Sequence, residues 1–157
     1  MINISFQKEN LKKMFENVKL FEAVKVLVKL VEKPSLLNID QDDLLRLIEK
    51  SDGKIMLATG KAEGRKGAVE AVHQALKTAQ DTDLSKASGI IIAFTGGQRM
   101  SLSDVNLAAK EVCRNMKDDA DVVFGASVEP ELKDAAEVYL MVFGTKNTSQ
   151  KCFSTSP

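Results

Sequence analysis

The stretch GIIIAFTGGQRMSLSDVNLAAKEVCRNM, residues 89–116, decides how the rest of the chain is read. Its first six residues are an almost unbroken apolar run with three consecutive isoleucines. Such a run, short and β-branched, fits a strand covered on both faces. Thr95-Gly96-Gly97 then marks a turn, because paired glycines punctuate rather than extend a strand. Ser101 or Ser103 can cap a helix over roughly 103–116, where Val105, Leu107, Ala108, Val112 and Met116 recur at helical spacing. Strand, turn and helix in under thirty residues form one half of a crossover unit.

The same alternation continues on both sides. IMLATG (55–60) reads as a strand, and GAVEAVHQALKTA (67–79) as a helix with Val69, Val72, Ala75, Leu76 and Ala79 turned inward. DVVFGASV (121–128) is a further strand. Pro130 and a helical turn lead into EVYLMVFG (137–144), the last one. The order β-α-β-α-β-β specifies an α+β two-layer sandwich: one mixed sheet with its two helices on one face.

Upstream lies a long helical pattern over residues 8–32, with Leu11, Met14, Phe15, Val18, Phe21, Val24, Val28 and Val31 at spacings of three and four. Pro34 stops it, and Lys33 before the proline is pushed out of the helical region. In its second half Leu20, Phe21, Ala23, Val24, Val26, Leu27, Val28, Leu30 and Val31 cover roughly 220° of the surface, against about 100° for a helix lying on a single core. This helix is expected to be buried on two sides, by the domain and by something further. Four segments follow: 1–34, the long helix; 35–53, an acidic loop with a short helix from about 41 to 50 ending near Asp52-Gly53; 54–145, the α+β domain; and 146–157, a polar tail expected to be mobile.

Bulk properties narrow the class. The 157 residues contain 22 basic and 22 acidic side chains, a balance that gives no reason to expect a nucleic-acid or anionic-membrane partner. Nothing approaches the ~20 apolar residues of a membrane helix. MINISFQKEN lacks the apolar stretch of a signal peptide. Cys113 and Cys152 lack metal-like spacing; Cys113 is expected to be a buried helix residue, Cys152 a tail thiol, and a reducing cytoplasm fits both. One histidine, His73, supports neither a metal site nor a nucleophile–base set. Met14, Met56, Met100, Met116 and Met141 read as packing residues. Arg65 and Lys66 form a solvated basic turn. Gly60, Gly64 and Gly67 are wrongly spaced for a phosphate-binding or dinucleotide loop.

The acidic loop SLLNIDQDDLL, residues 35–45, is the richest candidate site. Asp40 before an apolar periodic segment is a good helix N-cap, and Asp42 and Asp43 suit the first turn. A calcium loop is a second reading: from Asn38 as position 1, Asp40, Asp42 and Glu49 fall at positions 3, 5 and 12, yet Asp43 occupies the position that needs glycine.

Three segments together carry a resemblance. LVEKPSLLNIDQDDL (30–44), TGGQRMSLSDVN (95–106) and ADVVFGASVEPELKDAAEVYLMVFG (120–144) resemble, in order, the central-helix end with its Asn-x-Asp-x-x-Asp loop, the TGG segment, and the last two strands of the FtsZ family's C-terminal half. The likeness spans roughly residues 14–144. Ser35 stands where the family has glycine, Gly64-Arg65-Lys66-Gly67-Ala68 where it has an acidic or amide turn, and Phe143 where it usually has threonine. No GGGTGTG-type loop occurs in these residues. The resemblance implies a cell-division domain that carries no GTP site and no cofactor of its own, and that is no GTPase by itself. It implies a loop whose Asn38, Asp40 and Asp43 enter the GTP site of a neighbouring subunit, where the acids help orient the attacking water. The implied partners are an FtsZ-type GTPase subunit or a separated N-terminal domain; independently of the resemblance, the two-sided apolar helix 8–32 suggests a homodimer with a scaffold role and no part in GTP hydrolysis. As a stand-alone module such a chain would cap or regulate filaments.

Overall fold

The computed structural model describes residues 11–51 and 54–144, with side chains from Val18 onward. Strand β2, Gly89–Gly96, is buried along its whole length, as its isoleucine run requires. It pairs in parallel with β3, Asp121–Val128, and antiparallel with β4, Ala135–Phe143. The outer side of β4 takes β1, Ile55–Glu63, also antiparallel. The sheet order is therefore β1-β4-β2-β3, with the last strand inserted between the first two.

Because side chains alternate along a strand, β2 feeds two cores. Ile90, Ile92 and Phe94 face α3, Gly67–Thr78, and α4, Leu102–Cys113. On α3 the buried residues are Gly67, Ala68, Ala71, Val72 and Ala75, small enough for the helix to lie close on the sheet. Ile91 and Ala93 face the other way, toward α1, Leu11–Glu32, and α2, Gln41–Lys50, through Ala23, Leu27, Leu30 and Leu47. The two crossover helices share one face as expected; the long helix and the short one cover the second. Each large side chain fully buried here contributes roughly 1.5–3 kcal/mol, and Ile90, Ile91, Ile92 and Phe94 are all at 0% exposure.

Ser101 is the cap of α4. Its hydroxyl accepts from the Asp104 N–H at 3.1 Å, and the Asp104 carboxylate accepts from the Ser101 N–H at 2.9 Å, a reciprocal capping box. The diglycine turn has a steric cause: at Gly97 any β-carbon would overlap the backbone of Lys133, where the chain enters β4. Met56 and Met141 are buried, and Met100 and Met116 pack at the edge of the core.

Two expectations fail. Cys113 is exposed rather than buried, because Val112 holds the inward position at the end of α4. Leu107, assigned to the inner face of that helix, is 53% exposed, while Ala109 turns inward beside Ala108. Residues 8–10, the Met14 side chain, Asp52-Gly53 at the expected end of the short helix, and the tail with Cys152 lie outside the described residues.

Candidate functional site

The acidic loop is built from the end of α1. After Glu32 the helix stops, and the Leu30 carbonyl accepts the Ile39 N–H at 3.0 Å and the Asn38 amide at 2.8 Å. That same amide nitrogen also donates to the Lys33 carbonyl at 2.6 Å, and the Asn38 side-chain oxygen accepts the Ser35 N–H at 3.2 Å. Ser35 adds a hydroxyl bond to the Lys33 carbonyl at 3.0 Å. Asn38 thus bonds carbonyls that a helix C-terminus otherwise leaves open.

One residue earlier the loop is tied to the sheet. Leu37 and Ala126 exchange both backbone hydrogen bonds, adding a one-residue bridge to the free edge of β3. Ile39, 3% exposed, drives into the core beside it. Gly125 makes the approach feasible: a β-carbon there would lie 2.7 Å from Ile39 Cγ1 and 2.9 Å from the Leu37 carbonyl oxygen. A glycine inside a strand signals such an approach, and DVVFGASV displays one.

Beyond Ile39 the chain turns outward. Asp40 is the N-cap of α2, its carboxylate accepting the Asp42 N–H at 2.7 Å. Asp43 sits on the first turn of that helix and pairs with Arg46 at 3.1 Å. Both carboxylates are exposed, at the end where the backbone dipole favours negative charge. Helix α2 begins at Gln41, so the calcium-loop geometry is not formed. Among the described residues no group of three or more His, Cys, Asp or Glu is placed to hold a metal ion.

The three residues that the resemblance implies lie close together, at the loop and the first turn of α2, with two kinds of geometry. Asp40 and Asp43 point to solvent on a held helix end; Asn38 spends its amide bracing the loop from within. Leu37, Gly125 and Arg46 support the loop and were not singled out from the sequence.

A four-stranded mixed sheet with a helix pair on one face, and on the other a long helix feeding a braced acidic loop, makes this an α+β two-layer domain with one fastened acidic loop at the sheet edge. The FtsZ family C-terminal domain matches residues 53–146. Over 129 residues the chain is 33% identical to cell division protein FtsZ 1 of Archaeoglobus fulgidus, covering 82% of this chain and 35% of that protein. Over 126 residues it is 35% identical to cell division protein FtsZ 1 of Pyrococcus woesei, covering 80% and 34%. The structure of the empty FtsZ dimer of M. jannaschii superposes with a TM-score of 0.76 at 26% identity, covering 91% of this chain and 42% of that one. The chain belongs to the FtsZ family and matches its C-terminal domain. It spans about a third of the length of the curated relatives it matches.

Proposed function

We propose that this chain serves an FtsZ-type cell-division assembly in the cytoplasm by supplying its acidic loop, in trans, to the GTP site of an adjacent FtsZ-type subunit. The observation that carries this reading is a loop fastened at Leu37, Asn38 and Ile39 whose next carboxylates, Asp40 and Asp43, are left exposed. Rigid placement of acceptors is what orienting a water for in-line attack demands. GTP belongs to the partner; this chain contributes hydrogen-bond acceptors and turns over no nucleotide alone. The test is GTP hydrolysis by a full-length archaeal FtsZ with and without this chain. Stimulation that disappears in the Asp40→Asn, Asp43→Asn double variant supports the reading. Unchanged turnover and unchanged polymer mass reject it.

A second reading is a filament cap. In this reading the chain meets a neighbouring subunit through the loop face and blocks addition of the next one. Substoichiometric loss of light scattering from growing filaments, retained in the same double variant, favours capping over activation. The outward face of α1 further motivates self-association, as a homodimer.

A further inference from the structure

Three turns meet at the end of the sheet where β1, β2 and β3 finish and β4 begins. The Gly64 N–H donates to the Asp134 carbonyl at 3.2 Å, and the Gly97 N–H to the Ala135 carbonyl at 3.0 Å. The Glu129 N–H donates to the Gly96 carbonyl at 2.8 Å and joins the third turn to the second. Four cations stand on this base: Arg65 and Lys66 before α3, Arg99 before α4, and Lys133 before β4. All four are exposed, and none makes an ion pair among the described residues. Lys29, Arg46, Lys50, Lys61 and Arg114, by contrast, each pair with a carboxylate. Lys133 is also held in an unfavourable backbone. Its φ of 58° and ψ of −105° match the first central position of a type II′ turn, where glycine is favoured. Strain of this kind concentrates at functional positions.

We infer that this end of the sheet docks an acidic peptide segment of a partner protein, with carboxylates spaced three residues apart. The inference is independent of the acidic loop's role. Unpaired guanidinium and ammonium groups take carboxylates as ligands, and arginine does so through two parallel hydrogen bonds. The spacing follows from the sheet. Gly64 and Gly97 are bonded to adjacent residues of β4 from its two sides, so they lie two strand spacings, about 10 Å, apart. A polyproline-II chain repeats every three residues and rises about 3.1 Å at each, which puts every third side chain on one side about 9 Å from the next. One carboxylate then reaches Arg65 and Lys66 while another reaches Arg99, with Lys133 between them. Glu63, Glu131 and Asp134 are exposed among these cations. A continuous polyanion, such as a nucleic acid or an anionic lipid surface, would be repelled by them, whereas separate carboxylates pass between.

Fluorescence anisotropy of a labelled Glu-Pro-Pro-Glu-Pro-Pro-Glu peptide, titrated with the full chain, tests the docking. A dissociation constant on the order of 100 µM at low salt is expected, weakening as ionic strength rises. The peptide Pro-Pro-Glu-Glu-Glu-Pro-Pro, of the same composition, should bind at least about threefold more weakly. Arg65→Glu and Arg99→Glu, at exposed positions, should leave the circular dichroism unchanged and each weaken binding about tenfold. Lys110→Glu, exposed on the body of α4, should leave binding unchanged. Lys133→Gly should raise the melting temperature by relieving the turn, yet weaken binding about threefold, a combination that a purely structural lysine would not give. No binding of the spaced peptide up to about 1 mM overturns the inference, as does an equal loss in Lys110→Glu or equal binding of the two peptides. A single-stranded oligonucleotide or phosphatidylserine vesicles that bind more tightly than the peptide, with the same dependence on Arg99, assign the surface to a polyanion and overturn it as well.

Discussion

Leu37 and Ala126 donate to each other's carbonyls, at 3.0 and 2.8 Å, and so fasten the acidic loop to the edge of β3. The loop's position is thereby a property of the sheet. Gly125 sits beside this bridge and admits Ile39 and the Leu37 carbonyl. Gly125→Ala is expected to cost about 1–3 kcal/mol, because the added methyl meets backbone on one side and a packed side chain on the other. Urea unfolding measures the loss. The same variant should lower any stimulation of a partner's GTP hydrolysis while leaving Asp40 and Asp43 chemically intact.

Asp40 has a capping role separable from its proposed functional one. Asp40→Ala removes the acceptor for the Asp42 N–H and should cost about 1 kcal/mol. Asp40→Asn keeps a good cap and should be nearly neutral in thermal unfolding. If stimulation falls equally in both, the carboxylate matters for function and the cap does not; if it falls only with alanine, helix order is what counts.

For Asn38 the expected defect is structural. Its amide donates to the Leu30 and Lys33 carbonyls. Asn38→Ala should cost about 1 kcal/mol, and Asn38→Asp more, since a carboxylate would face two carbonyl oxygens with no proton to donate. Denaturation midpoints of the two variants order them. An aspartate variant as stable as the native chain would mean that water replaces these bonds.

Tyr139 provides a pH signature. Burial first, then the charges of Glu137 and Glu22, push its phenol above the ordinary value. It is the single tyrosine in a chain with no tryptophan, so its absorbance can be titrated without interference. The folded midpoint should exceed that of the unfolded chain in denaturant. The sign for stability follows: the unfolded state loses this proton first, so stability falls as pH rises through about 10 and beyond. Tyr139→Phe should flatten that part of the melting-temperature profile.

Local patterns were legible wherever the deciding interactions lie within a few residues. The cluster of short polar side chains at 38–43 marked the loop, the family resemblance picked out Asn38, Asp40 and Asp43 within it, and Asp40 before Gln41–Lys50 announced its cap. Val112 and Cys113 were harder, because adjacent residues near a helix end differ by 100° in direction and the period cannot say which meets the core. Asn38 could not be placed as a brace from sequence, because its carbonyl partners become available only where α1 ends.

The sequence by itself determined the strands, the two-faced character of β2, the long helix stopped near Pro34, and the family resemblance, all set by side-chain period, turn chemistry and motif order. Only the tertiary structure decided that β4 inserts between β1 and β2, and that α1 lies on the face opposite α3 and α4. Strand order depends on hydrogen bonds between residues as distant as Ile55 and Phe143, and helix placement on which face of the finished sheet remains uncovered. Neither has a local signal. Their combined result brings the end of α1 to the edge of β3, where Leu37 meets Ala126 and the acidic loop acquires its fixed position.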